Sequence, residues 1–488
     1  TVLLSMQPLM LAEPTELTQP RNMHPSAVAG AGRTPNGRSA RGDGADDAAA
    51  VRVEAAEQLH LFETAGVLLG AGLAPPDVSA RLLLLLLQPL SHQLAQVRAE
   101  QLQAISDAGG TGPSAAAQAA GGEMGGGEED GADSVATAAD ARTARAAHIV
   151  GALGTLSKGF THAHAQAVSH VFEAALEASL QTAAVFPRSS ELRGRVLMLL
   201  HRMVECLGES VLPFARAAVP GLLQGAEGVE LHEVVTLVNQ LVAKFKARFH
   251  SQVVELLPTI SGRLLESIGA PLPGSLPPGA PLSEEERERV LLLRFFHSFV
   301  HGIVHNGLAS TLVAPSNRGS MDGLLSVLVQ GCVDGPDPQI QKQAMSSLQK
   351  LVELWADGPS SGSVSAAPDG ADAHTPIPGF DAYALSHVAP AHFQALIHPY
   401  LNLKDASCLQ LLEAIANGQQ SLYATLGSRF TSYLTDSALP ALGCSPELMA
   451  TYVQHVTTPP LPSQQRPVAL RDFLREFAAN YQASRQQQ

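Results

Sequence analysis

From Ser190 to Leu207 the apolar side chains Leu192, Val196, Leu199, Leu200, Met203, Val204 and Leu207 return at every third or fourth position. That spacing lays one apolar stripe along an α-helix and leaves its other faces polar. A serine precedes the stripe, where its oxygen can cap the first turn, and Gly208 follows it, where a left-handed stop is needed. Helical blocks of roughly 15 to 22 residues, bounded by Gly or Pro, recur along the chain. Leu and Ala dominate them, and aromatic residues make up only 5% of the sequence against 45% hydrophobic residues overall. Alternating runs rich in Val, Ile, Thr and Tyr are not found at persuasive length, so an all-α fold with almost no β-structure is expected.

A helix with one apolar stripe cannot cover that stripe alone, so helices must pair and pairs must stack. Two Leu-Pro steps, at Pro213 and Pro258, lie 258 − 213 = 45 residues apart. That separation falls in the HEAT and armadillo range of about 40 to 47 residues. The expectation is a HEAT/armadillo-like α-solenoid of antiparallel helix pairs with disordered insertions. A length of 488 residues exceeds what one compact core supports and suits such an array.

Composition divides the chain. Residues 1–50 read as a partial helix followed by an insertion rich in Pro, Gly and Arg; residues 51–105 as HEAT-like helices. Residues 106–141 carry Gly, Ala and seven acidic residues with no Lys or Arg, and are expected to be disordered. Residues 142–356 read as HEAT repeats, 357–378 as a disordered linker rich in Gly, Ser and Pro, and 379–488 as C-terminal repeats and tail. A shorter break, "GAPLPGSLPPGAPL", ends at Ser283, and Glu286 three residues later completes a capping box that should start the next helix.

Cys206, Cys332, Cys408 and Cys444 lie far apart, with neither disulfide nor zinc spacing, which fits a reducing intracellular setting. The leucine run from Leu82 to Leu87 is too short for a membrane span, which takes about 20 apolar residues, so no membrane association is expected. The helix-like opening at Thr1 reads as part of something longer. A net charge of −14 argues against a nonspecific nucleic-acid coat. Between Arg188 and Arg248, however, eight Lys or Arg face six Glu.

Catalytic motifs are not found: there is no Walker loop, GxSxG, HExxH or GxGxxG in strand-to-helix context, so neither an enzyme nor a cofactor is expected. His162, His164 and His170 lack companion ligands at metal spacing. His297, His301 and His305 follow one another at i+4 on one helical edge, a ladder that could hold a metal or sense pH, or simply line a half-buried helix. In "LVNQLVAKFKARFHSQVVELLP" the spacing predicts one helix whose apolar stripe, Val234 through Phe245 to Phe249, is bordered by Lys244 and Arg248 on one side and by Lys246 and His250 on the other. Arg195 and Arg202, seven residues apart, share the polar side of their own helix, with Arg193 nearby. These six bases, Arg193, Arg195, Arg202, Lys244, Lys246 and Arg248, are candidates for phosphate contact if their helices line one wall. The alternative is that they are solvated side chains whose stems cover apolar edges.

Six ordered blocks then carry a resemblance: "LHLFETAGVLLG", "HIVGALGTLSKGF", "ELRGRVLMLLHRMVECLGESVLPF", "LVNQLVAKFKARF", "DPQIQKQAMSSLQKLVELW" and "LNLKDASCLQLLEAIANGQQSLYATLG". From about Leu59 to about Val456 the chain resembles the C-terminal portion of the exportin-T (tRNA exportin) family of the importin-β, or karyopherin, superfamily. The resemblance implies a HEAT-repeat nuclear export receptor that binds mature tRNA together with Ran in its GTP form. Such a receptor passes the nuclear pore through nucleoporins and shuttles between nucleus and cytoplasm. It further implies that Ran is held mainly by repeats upstream of this sequence, and that the six bases lie near the tRNA acceptor arm. The competing expectation is a HEAT scaffold or protein-cargo exportin that binds no RNA.

Overall fold

The computed structural model describes residues 2–11, 54–109, 129–161, 168–269, 283–334, 337–357, 375–399, 401–458 and 468–486. Among the described residues the chain is helical throughout, without a strand, and it divides into two compact units, residues 1–225 and 226–488.

The first unit contains α1 (Val2–Leu11), α2 (Ala55–Gly70), α3 (Pro76–Gly109), α4 (Glu129–Leu156), α5 (Ser169–Ala184), α6 (Ser190–Leu207) and α7 (Leu212–Gly225). Helices α2, α4 and α6 lie side by side in one layer; α3, α5 and α7 form the second, and α1 packs on α2 and α3. Phe62, Leu94, Val150, Phe172 and Leu200 fill the space between the layers. The α2–α4 contact is a backbone contact. Gly66 and Gly70 are buried one turn apart on α2. A Cβ on Gly66 would fall onto the Leu156 carbonyl, one on Gly70 onto the Gly159 carbonyl, and one on Gly159 back onto the Gly66 carbonyl.

The second unit begins with α8 (Val229–Phe245), α9 (His250–Ile268), α10 (Glu284–His305), α11 (Arg318–Asp334) and α12 (Pro338–Trp355). Next, Phe380–Tyr383 runs through a π turn, Ala384–Val388, into Ala389–Leu396; together these are α13. Then come α14 (Ala406–Leu426) and α15, which is Ser428–Tyr433 continued through a π turn, Leu434–Ala438, into Leu439–Ala441. Helices α16 (Pro446–Thr457) and α17 (Val468–Gln486) close the unit. Helices α8, α10, α12 and α14 stack in sequence, and α11 and α13 pair in the other layer. The stack is parallel and in register: His232 of α8 lies on Phe295 of α10, Arg294 bonds Asp337, His305 meets Ser346, and Lys342 meets Gln410.

Several expectations are met. Helix α6 spans Ser190–Leu207, Ser189 Oγ accepts the Leu192 amide at 3.1 Å, and Gly208 has φ 56°. Ser283 and Glu286 form the reciprocal capping box at the start of α10, with Ser283 Oγ accepting the Glu286 amide at 3.2 Å and Glu286 Oε2 the Ser283 amide at 2.8 Å. Others are corrected. Pro213 is the second residue of α7 whereas Pro258 lies deep inside α9, so their separation is not a structural period. In side-chain register α10 and α12 are offset by 41 to 43 residues, through His305–Ser346 and Arg294–Asp337, whereas the α8–α10 and α12–α14 offsets are 63 and 68, through His232–Phe295 and Lys342–Gln410. The acidic segment 106–141 is helical at both ends, since α3 runs to Gly109 and α4 starts at Glu129. Alanine, frequent in the segment, favours the helix. Residues 110–128, the insertion within 1–50 and most of the 357–378 linker lie outside the described residues, as do His162 and His164.

Candidate nucleic-acid interface

The six candidate bases fall three in each unit. On α6, Arg193 and Arg195 are two residues apart, a step of about 200° that sends them to different faces. Arg193 donates to the Pro187 carbonyl at 2.7 Å and lies against Gly225 of α7. Arg195 is half-buried against Gly151 of α4, beside His148. His148 bonds Gln58 at 2.5 Å; burial, then the Arg195 charge, pushes its pKa down to about 4. Arg202 does share the Arg195 side of α6, but its Nη2 is committed, while its Nε is buried without a hydrogen-bond partner among the described residues. Nη2 donates to the carbonyls of Ser157, Lys158 and Phe160 at 3.0, 3.2 and 3.3 Å. Those carbonyls belong to the turn that ends α4, so Arg202 caps a helix terminus through the last-turn oxygens that have no intrahelical donor. Its position secures the same junction that Gly66, Gly70 and Gly159 form. The α6 arginines are therefore positioned chiefly by intramolecular contacts.

The second unit presents its bases differently. The stretch from Val234 to Leu257 is two helices with a corner between them, not one. Helix α8 ends at Phe245, Lys246–Phe249 forms a 3₁₀ turn, and α9 starts at His250. Phe245 and Phe249 are both buried, because a tight turn preserves the four-residue return of the apolar face. Periodicity therefore runs through the corner without marking it. Lys246 makes the bend, with φ 46° and ψ −125°. Gly208 makes a corner of the same shape between α6 and α7 (φ 56°, ψ −130°), and Gly427 another between α14 and α15 (φ 57°, ψ −129°). At Lys246 alone of the three a side chain occupies a backbone conformation suited to glycine.

The outcome is a concentration of charge at an exposed corner. Lys244 closes the last turn of α8, and Lys246 and Arg248 stand on the turn, all three exposed. Their charge complements the negative end of α8. Nearby, His250 bonds Ser310 at 3.2 Å. Separately, α12 carries Lys342, Ser346 and Lys350 at i+4 intervals along the edge facing His301 and His305, residues that the sequence reading passed over. Their common spacing of four was the available signal. Among the described residues no three or more His, Cys, Asp or Glu gather as a metal would require, and no helix is long and apolar enough to cross a membrane.

A family model described as Exportin-T matches residues 133–482. The chain is 26% identical over 404 residues to exportin-T of Arabidopsis thaliana, covering 81% of this chain and 36% of that protein. To the mouse and human exportin-T proteins it is 27% identical, over 408 and 412 residues, covering 83% of this chain and 37% of each relative. The chain thus spans little more than a third of the length of these curated relatives.

Proposed function

Because the chain belongs to the exportin-T family, with the family match running from residue 133 to residue 482, we propose that it is part of a receptor that exports mature tRNA from the nucleus. The match over most of the chain is the observation that carries this reading. The receptor binds tRNA cooperatively with Ran-GTP, contacts nucleoporins, and shuttles between nucleus and cytoplasm. Ran is held chiefly by repeats outside this sequence, and no membrane or covalent step is required.

The corner formed by Lys244, Lys246 and Arg248 supports an RNA contact within this chain, since exposed bases gathered on one turn suit a phosphate backbone. An A-form acceptor arm is then held by shape and backbone more than by base sequence. The acidic balance of the chain, −14, opposes nonspecific RNA and restricts binding to where local charge reverses.

The test is a titration of labelled mature tRNA into the chain at two salt concentrations, with and without Ran-GTP. A panel of protein cargoes is titrated alongside. Affinity is expected to fall with salt, with a log–log slope of about −0.7 to −0.9 per phosphate neutralised. Replacing Lys244, Lys246 and Arg248 together by Gln should make that slope shallower. A flat salt response, or binding of protein cargo in place of tRNA, would favour a protein-binding scaffold.

A further inference from the structure

The edge shared by α10 and α12 in the second unit holds side chains that the tRNA proposal does not use. His301 and His305 stand one turn apart on α10 with ring centroids 4.0 Å apart. Ser346 Oγ lies 3.1 Å from His305 Nε2. Lys342 acts on His301 from one turn earlier along α12, and Lys350 acts on His305 from one turn later. Lys350 is paired with Glu353 at 3.3 Å, and Glu353 also accepts from Gln349 and Ser421, each at 3.0 Å. Lys342 donates to the neutral Gln410 carboxamide at 3.2 Å. From α8, the Asn239 carboxamide oxygen approaches Gly302, and His232 stacks on Phe295 nearly two turns before His301. The charges acting on the two rings are thus Lys342, Lys350 and Glu353, with Glu353 already occupied. His301 Nδ1 is buried and has no hydrogen-bond partner among the described residues.

Two histidines at i and i+4 suit a transition metal or an anion, and their neighbours decide which. A cation would meet Lys342 and Lys350, and among the described residues no group of three or more His, Cys, Asp or Glu is placed to hold a metal. An anion would meet two imidazoles, an ammonium and a hydroxyl. A phosphoryl group offers several acceptor oxygens in a tetrahedral spread, which matches donors arriving from two helices.

We propose that His301, His305, Lys342 and Ser346 form a phosphoryl-oxygen site that takes up a proton as it fills, and that an RNA backbone phosphate is its occupant. The second clause rests on the RNA-binding role proposed above. Burial, then His305 and Lys342, hold His301 down to about 4, and burial holds His305 below its usual value. A bound anion supplies the missing negative charge and favours the imidazolium. By linkage the anion then binds more tightly as pH falls, about tenfold per pH unit for each whole proton taken up.

The experiment uses the full chain and two probes at constant salt, between about pH 7.5 and about pH 6, the range over which imidazole titrates. Labelled tRNA is followed by fluorescence anisotropy, and inorganic pyrophosphate by the imidazole NMR signals. Expected are a three- to tenfold tightening of tRNA binding per pH unit, roughly, and a rise in both imidazole pKa values with pyrophosphate. The double variant His301→Gln/His305→Gln should lose the pH dependence, and Lys342→Gln should weaken binding at both pH values. His305 is exposed and His301 and Lys342 are half-buried, so circular dichroism verifies that each variant folds. If tRNA binds equally at both pH values and the double variant is indistinguishable, the site is overturned while the RNA-binding role stands. If tRNA does not bind but pyrophosphate still raises both pKa values, the anion site stands, and RNA as its occupant falls with the RNA-binding role. If neither probe responds, both are overturned.

Discussion

In the first unit neighbouring helices meet backbone against backbone where Gly66 and Gly70 of α2 lie on the carbonyls of Leu156 and Gly159. In the second unit close approaches between consecutive helices of opposite layers place a ring on a glycine, and this occurs twice. The His297 imidazole lies on Gly331, and the His392 imidazole lies on Gly418. Both rings are fully buried, and neither ring nitrogen of either finds a hydrogen-bond partner among the described residues. A helix pair can thus be drawn close by removing a side chain on both sides or by fitting a flat ring over the gap. The first solution depends only on shape. The second places a titratable group in the core, where only its neutral form is tolerated.

The largest expected effect separates these two solutions. Gly66→Ala puts a Cβ into the Leu156 carbonyl, where no side chain can rotate away, so a loss of about 4 kcal/mol or more is expected. Gly331→Ala meets a ring instead, and a smaller loss of about 1–3 kcal/mol is expected. Adding His297→Ala to Gly331→Ala should recover part of that loss in a double-mutant cycle, measured by denaturant unfolding. If Gly66→Ala is tolerated, or Gly331→Ala shows no coupling to His297, the distinction between the units fails.

Acid should next distinguish the units. Burial holds His297 and His392 down to about 4, against an ordinary value of 6.5. Between those values the unfolded chain binds more protons than the folded one, so stability is lost as pH falls from about 6.5 toward 4. Each group contributes a loss of about 3 kcal/mol across that window. The first unit has one comparable ring among its described residues, His148. Hydrogen exchange at about pH 7 and about pH 5, corrected for intrinsic rates, should show opening in Glu284–His305 and Ala389–Leu396 before Ala55–Gly70. His392→Leu should delay it in the second segment. Simultaneous opening in both units would refute the assignment of the acid response to these rings.

The sequence disclosed the helices and concealed their joints, for a physical reason. Amphipathic spacing reports which face of a helix is buried, and it located α6 and α10 with their caps. It does not report what lies across the interface, so Arg202 read as a surface base although its guanidinium caps the end of α4. The His297, His301 and His305 ladder was visible as a spacing. Its division into one ring buried on Gly331 and two facing Lys342 and Ser346 depends on residues about 35 to 45 positions away, the scale of one helical-pair repeat. Gly66 and Gly70 carried no warning, because a glycine inside a helical pattern has many explanations.

The smallest expected effect concerns the corners. Gly208 in the first unit and Gly427 in the second adopt the same bend as Lys246, yet only the lysine is strained by it. Lys246→Gly should therefore raise stability by about 1 kcal/mol, and Gly208→Ala should lower it by about 1–3 kcal/mol. Thermal unfolding of the two variants gives both signs in one experiment. A structural role alone would make Lys246→Gly beneficial in every assay. A phosphate contact would make the more stable protein the weaker tRNA binder, with a shallower salt slope. Lys246→Ala removes the charge and keeps the strain, so it should lose the same affinity without the gain in stability. If both variants bind tRNA as the parent chain does, Lys246 is a strained corner residue with no part in RNA contact.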